Sequence, residues 1–243
     1  NYIISNKIDT IITTGPPHSM HLLGKRLKSL TKVKWLADFR DPWTNIWYNK
    51  KFFFTKSTLN KHKKLEKNIL NEADHIIVTS NRLNIEYSKL TNKPISTITN
   101  GFDHFIYDDF NLDTKFSISH IGTMLSDRNP YILWKVLSRL INEVNDLKHY
   151  LQLNLVGNVS VEVKQSIKKH SLEPYVQYIG HISYDQTSKY LKNSQILLLI
   201  QTNKAESNYI IPAKLFEYLN SSRPIISISN NDDVESIIND TNV

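Results

Sequence analysis

Lys214 and Glu217 stand three residues apart in the stretch Ile211-Pro212-Ala213-Lys214-Leu215-Phe216-Glu217-Tyr218-Leu219. That spacing puts both side chains on one face of a helix. Pro212 suits the start of such a helix, because its missing N–H would be unpaired there in any case. A carboxylate in the first turns can accept two vicinal hydroxyls, such as those of a ribose; the same pair can equally close a surface salt bridge with no ligand. A second group is Ile121-Gly122-Thr123-Met124-Leu125-Ser126-Asp127-Arg128-Asn129-Pro130, a strand ending in glycine, a loop with one cation and a helix start. Backbone N–H groups at a helix start together with a guanidinium make a cradle for a diphosphate. The plain alternative is a solvated arginine. A third group joins Gly15-Pro16-Pro17-His18-Ser19 to Ala37-Asp38-Phe39-Arg40-Asp41-Pro42-Trp43, with Trp47 close behind. Asp38 and Asp41 can instead pair with Arg40 and simply pin a loop.

These groups need elements to hold them, and the hydrophobic pattern supplies an alternation of strands and helices. In the first half, strands are expected at 10–14, 33–39, 75–79 and 95–99, with helices at 19–30, 59–70 and 82–90. An Asp- and aromatic-rich loop at 102–114 divides the chain into domains of 1–110 and 111–243. In the second half, strands are expected at 116–121, 151–156, 176–179, 196–200 and 224–229, with helices at 130–144, 161–170, 184–193 and 212–219. Short apolar strands separated by helices imply parallel sheets covered on both faces. Ligands of open parallel sheets bind outside the carboxyl ends of the strands, where all the glycines except Gly24 fall.

The Pro212–Leu219 stretch resembles the donor-site helix of glycosyltransferase family 4. The resemblance extends to the Gly122–Pro130 turn, to Leu155-Val156-Gly157, to Tyr178-Ile179-Gly180-His181-Ile182, and to the two first-half loops. It implies an α/β protein of GT-B architecture, two Rossmann-like parallel-sheet domains facing across a cleft, with an incomplete acceptor-side domain first and the nucleotide-sugar domain second. It further implies a retaining, metal-independent transferase with no cofactor beyond its nucleotide-sugar co-substrate. In this reading Glu217 holds the ribose, and Arg128 and Lys214 neutralise the diphosphate. Gly122 and Gly157 form the strand turns, and the backbone at His181 and Ile182 reads the base. His18 and Asp41 orient sugar or acceptor, with Asp41 a candidate base. Two positions depart from the family pattern: Thr123 stands where a second base is usual, and Tyr209 where many members carry a sugar-facing glutamate, the nearest acid being Glu206. Family members also begin with a glycine-rich strand–loop–helix unit and finish with a helix that crosses back. Neither is visible in this sequence, so the chain reads as a segment truncated at both ends.

Composition narrows the remaining choices. The chain has no Cys, which excludes disulfides and cysteine zinc sites, and His181 lacks a second ligand at metal spacing. No apolar run approaches a membrane span, and 1–12 lacks the pattern of a secretory signal. Of the 30 Lys/Arg, 17 lie in residues 1–110, against 10 of the 23 Asp/Glu, so the whole net charge of +7 belongs to the first half. There, residues 43–67 interleave Trp47, Tyr48, Phe52, Phe53 and Phe54 with Lys50, Lys51, Lys56, Lys61, Lys63, Lys64 and Lys67. Such a stretch can lie on an anionic membrane surface; the plain reading puts the Phe run in the core and the lysines in water. The expectation is a cytoplasmic protein at the inner face of the cell membrane, moving a sugar to a glycan or lipid-linked acceptor in cell-surface polysaccharide synthesis. Two alternatives stand beside it: a sugar-nucleotide epimerase of the same fold, and a basic nucleic-acid-binding α/β module. Against the latter, the charge-balanced second half carries the sharper motifs and nucleic-acid motifs are missing, so no nucleic acid is expected as partner.

Overall fold

A computed structural model describes residues 2–46, 49, 52–102, 111–202 and 205–241, without the side chains of Ala205 and Glu206. Trp47, Tyr48, Lys50, Lys51 and the middle of the expected boundary loop (103–110) lie outside the described residues, as does the Glu206 side chain. The chain forms two compact units. The first takes 1–100, 204–211 and 231–233, and the second 101–203, 212–230 and 234–243.

The first unit opens on a short helix α1 (Tyr2–Ser5) and is built on a four-stranded sheet in the order β1-β2-β3-β4. Its strands are β1 (Thr10–Gly15), β2 (Lys34–Phe39), β3 (His75–Val78) and β4 (Ile95–Thr97), every pair parallel. Helices α2 (Ser19–Thr31), α3 (Lys56–Glu72) and α4 (Asn81–Ser88) connect them. In β2 alternate residues Trp35, Ala37 and Phe39 turn inward with no exposure and meet Ile69 and Leu70 of α3 and Leu83 and Tyr87 of α4 in one core. Helix α3 begins one turn earlier than the apolar spacing suggests, because Thr55 caps it, its hydroxyl accepting the Thr58 N–H at 3.2 Å. Ser80 caps α4 in the same way.

The second unit has five parallel strands in the order β7-β6-β5-β8-β9. They are β5 (Phe116–Ile121), β6 (Leu151–Val156), β7 (Val176–Gly180), β8 (Ile196–Ile200) and β9 (Ile225–Ile228). Around them run α5 (Tyr131–Glu143), α6 (Leu147–Tyr150), α7 (Val161–Lys169), α8 (Tyr184–Asn193) and α9 (Ala213–Asn220). The chain leaves β5 in one direction through β6 and β7 and in the other through β8 and β9. This reversal makes the carboxyl ends of β5 and β8 the switch point of a doubly wound sheet. One face of β5 is polar yet buried: Ser119 Oγ accepts from Asn154 Nδ2 at 3.0 Å and from Ser194 Oγ at 2.6 Å. That polar seam is why β5 reads as alternating rather than continuously apolar. The last helix, α10 (Asp232–Thr241), follows β9 where the sequence reading places none, although Val234, Ile237, Ile238 and Thr241 carry helical spacing. Both units have the Rossmann-like parallel α/β build that the strand–helix alternation implies.

Candidate functional site

In the second unit, β5 ends at Ile121 and the backbone turns at Gly122 with φ 120°, a conformation side-chain-bearing residues rarely adopt. Gly157 at the end of β6 turns likewise, with φ 114°, and packs backbone to backbone on Gly122: a Cβ there would fall 2.8 Å from the Gly122 carbonyl. Without side chains the two turns pack against each other beside the switch point, and Lys214 closes on Gly122. From the first turn of α9 its Nζ reaches across to donate to the Ile121 carbonyl at 2.9 Å, so close to Gly122 that a Cβ there would lie 2.8 Å from the ammonium. Tyr218, one turn further along α9, is buried and its hydroxyl accepts the Ile121 N–H at 3.0 Å. Helix α9 is thus tied to the end of β5 by both of that residue's backbone groups.

Glu217 lies on the same helix, half-buried, and no ion pair joins it to Lys214 among the described residues. The surface salt bridge that the spacing allowed is therefore not what this pair forms. Burial pushes the Glu217 carboxyl up, with the Lys214 charge pulling the other way. Arg128 ends the 3₁₀ turn Ser126–Arg128, and its Nη1 donates to the Thr123 carbonyl at 3.3 Å, folding the guanidinium over the turn. Lys214 is held down to about 8 by burial first and the nearby Arg128 second, with Glu217 opposing. An ammonium whose charge is disfavoured by burial and by a neighbouring guanidinium, at a turn of exposed backbone, forms a place for an anion. His120 was missed by sequence reasoning. It is buried and its Nδ1 lies 2.9 Å from the Leu198 carbonyl, which places the ring proton on Nδ1. Burial, with the charges of Lys214 and Arg128, keeps the ring down at about 3 and so neutral. A histidine inside a strand looks like core from sequence, and only the strand pairing shows that it bridges β5 to β8 at the switch point. His181 and Ile182 follow β7; His181 is exposed and Ile182 half-buried, and no described contact joins either to Lys214 or Glu217.

In the first unit, Gly15 pairs with Phe39 in register, and the Arg40 N–H donates to the Gly15 carbonyl at 3.0 Å. The loops after β1 and β2 therefore start side by side. His18 stacks on Trp43 with ring centroids 5.3 Å apart and on Phe39 at 5.8 Å. Neither ring nitrogen makes a hydrogen bond of good geometry, and burial holds the ring down at about 4 despite the opposing Pro42 backbone. Asp41 is pushed up by burial and pulled down by Arg40, and no hydrogen bond or ion pair joins it to His18 among the described residues. Among the described residues neither aspartate forms an ion pair with Arg40 that would pin the Asp41–Trp43 loop. Buried Glu66 of α3 does this, accepting the Thr44 N–H at 3.1 Å and the Tyr87 hydroxyl at 3.2 Å, while Tyr87 in turn accepts the Trp43 N–H. Glu66 sits on a lysine-rich helix at helical spacing from Leu59, His62 and Ile69, a sign of an inward position that sequence reasoning passed over. Tyr209 groups with this unit, its hydroxyl accepting from Asn45 Nδ2 at 3.0 Å. Among the described residues no cluster of three or more His, Asp or Glu side chains converges as a metal site would require.

No protein-family model matches the chain, and no curated protein sequence does. Solved structures do match in fold. The sucrose-phosphate synthase of Thermosynechococcus elongatus aligns over 93% of this chain and 57% of its own, at TM-score 0.64 and 14% identity. TarM aligns over 96% and 47%, at 0.63 and 15%; a point mutant of the S. aureus protein has been crystallised with fondaparinux, α-GlcNAc-glycerol and UDP. A glycosyltransferase of Rickettsia africae aligns over 97% and 62%, at 0.61 and 17%. The chain spans about half to three-fifths of the length of these structures. Its fold, two Rossmann-like α/β units, is the one they share.

Proposed function

We propose that the chain is the greater part of a glycosyltransferase that takes a sugar from a nucleotide-sugar donor to a glycan or lipid-linked acceptor in cell-surface polysaccharide synthesis. The observation that carries this reading is Lys214. Its ammonium lies against Gly122 at the carboxyl end of β5, beside Arg128 and one turn from Glu217 on a single helix. Arg128 and Lys214 take up the charge of the departing diphosphate, and Glu217 accepts hydroxyls of the ribose. The turns at Gly122 and Gly157 let the diphosphate approach backbone, and the His181–Ile182 backbone reads the base. The bond between the anomeric carbon and the diphosphate oxygen breaks while a bond to the acceptor hydroxyl forms on the same face. The acceptor proton leaves with the diphosphate or through Asp41, and His18 orients the acceptor. Cationic side chains supply the charge stabilisation, so the reaction needs no metal. The exposed Phe52–Phe54 run with Lys56, Lys61, Lys63, Lys64 and Lys67 holds the enzyme on an anionic membrane surface at the cytoplasmic face.

Titration of the purified chain with UDP, UDP-sugars and the other common nucleotide sugars tests the donor reading. Arg128→Ala and Glu217→Ala are each expected to weaken the best-bound donor by tenfold or more, about 1.4 kcal/mol. Full transfer activity in Arg128→Ala, or an unchanged dissociation constant in Glu217→Ala, removes the corresponding assignment. Incubation of donor alone separates transfer from epimerisation, since only an epimerase converts the sugar without acceptor.

A further inference from the structure

The first unit contains a pocket of about 340 Å³ whose walls include Pro17, Leu22, Trp43, Phe54 and Leu65, with His18 at one side. Its aromatic wall is continuous. Phe52 stacks on Phe54 at 5.7 Å, Phe54 on His62 at 5.5 Å, and His62 receives the Trp43 Nε1–H at 3.0 Å before His18 closes the row. The row runs from solvent inward. Phe53 is 100% exposed, Phe52 55% and Phe54 38%, so the run that sequence alone could place in the core lies at the mouth instead. Across Leu65, which belongs to both, begins a more open cavity of about 590 Å³ lined by Ser57, Asn60, Lys61, Lys64 and Asn68. Lys61 and Lys64 are exposed, and neither is in an ion pair among the described residues.

An apolar aromatic slot and a cationic, hydrogen-bonding shelf separated by one leucine match a ligand with an apolar chain next to an anionic group. A bare sugar ring matches the slot poorly. The His62 Nδ1 is occupied by Trp43, and Asn49 Nδ2 is spent on the Trp43 and Thr44 carbonyls at 2.9 and 3.2 Å. The His18 nitrogens are buried, so Ser19, Asn49 Oδ1 and His62 Nε2 are the main polar groups left to a saccharide, whose remaining hydroxyls would each carry a desolvation penalty. An alkyl or isoprenyl chain has no such groups to satisfy and gains from every apolar wall.

We infer that this slot and shelf are the acceptor subsite for an amphiphile, a lipid phosphate whose chain lies along Phe54, Trp43 and Leu22 and whose phosphate is held by Lys61 and Lys64. The inference rests on the transferase reading and names its acceptor class.

Intact protein is titrated with a C10 isoprenyl phosphate below its micelle concentration, and separately with the parent C10 alcohol, with inorganic phosphate and with UDP. The isoprenyl phosphate is expected to bind at least tenfold more tightly than either half alone. Phe54→Ala is expected to weaken it by fivefold or more. Lys61→Ala/Lys64→Ala should reduce it to the level of the alcohol and abolish its salt dependence, and UDP affinity should hold in all variants. Equal affinity for phosphate and isoprenyl phosphate overturns the inference. So does a free hexose that competes with the lipid, or binding seen only on vesicles and never to monomeric lipid. Loss of UDP binding in the unmodified protein, with lipid binding retained, fails the transferase reading instead.

Discussion

Replacement of Lys214 by methionine gives the sharpest test of the charged pocket, because it separates stability from binding. The Lys214 ammonium is held down to about 8 from the usual 10.5. At 1.36 kcal/mol per pH unit, holding that charge in place costs the folded protein about 3 kcal/mol relative to water. Methionine removes the charge at similar length and forfeits the charge-assisted bond to the Ile121 carbonyl, about 1.5–3 kcal/mol. The variant is therefore expected to be at least as stable at pH 7, by up to about 1.5 kcal/mol, a midpoint shift of up to about 0.7 M urea. Trp134, fully buried and the one tryptophan in residues 111–243, reports the unfolding of the second unit. Linkage adds a second signature. Between pH 8 and 10.5 the unfolded chain keeps the Lys214 proton that the folded chain releases, so unfolded protein binds more protons and raising pH favours folding. Wild-type stability should gain about 3 kcal/mol across that window relative to the methionine variant, all other groups being common to both. Donor affinity should fall more than tenfold at the same time. A variant less stable than wild type at pH 7, or the same pH slope in both proteins, refutes the buried-charge argument.

Gly157→Ala should destabilise the second unit by about 2 kcal/mol or more, since φ is 114° and the new Cβ meets Gly122 backbone that cannot rotate away. Gly101→Ala, with no atom within 4 Å of its added Cβ, serves as the matched control and should change urea stability little. Sedimentation with anionic vesicles should be strong at low salt and weaken as ionic strength rises, and Phe53→Ser should reduce it further; absence of binding at low salt excludes the membrane surface.

The strand–helix alternation was legible because each parallel strand is a short apolar run closed by a glycine or a polar turn. All nine strands fall where the pattern puts them, within one or two residues. Helix starts were less legible where a cap rather than an apolar residue sets them, as Thr55 does for α3. Pro212, Lys214 and Glu217 could be picked out as a group because they are local in sequence. What Lys214 does there could not, since its partner Ile121 is 93 residues away and the choice between Glu217 and that carbonyl is made by α9 packing on β5. His120 and Glu66 were hidden for a related reason. His120 alternates with Ile118 and Glu66 stands at helical spacing from Leu59, His62 and Ile69, so each is a polar residue on an inward face, and the distant backbone or hydroxyl group that satisfies it cannot be read from spacing.

The departure at Thr123 acquires a physical account from the same geometry. In the pattern this chain resembles, a base directly after the glycine would sit on the loop itself. Here the ammonium of Lys214 lies against Gly122 from α9, so under the proposed assignment the cation comes from a helix instead of a loop. Loops adjust to their ligands, whereas two side chains three residues apart on one helix hold a fixed separation. Under the proposed assignment, the diphosphate and the ribose are thus gripped by Lys214 and Glu217 as one rigid pair, and α9 is itself clamped to β5 through Tyr218. Such a site gains orientation without ordering a loop when donor binds, which spares the entropy that a mobile base would cost. The expense appears elsewhere, as the depressed ammonium that the apo-protein must carry at the end of β5.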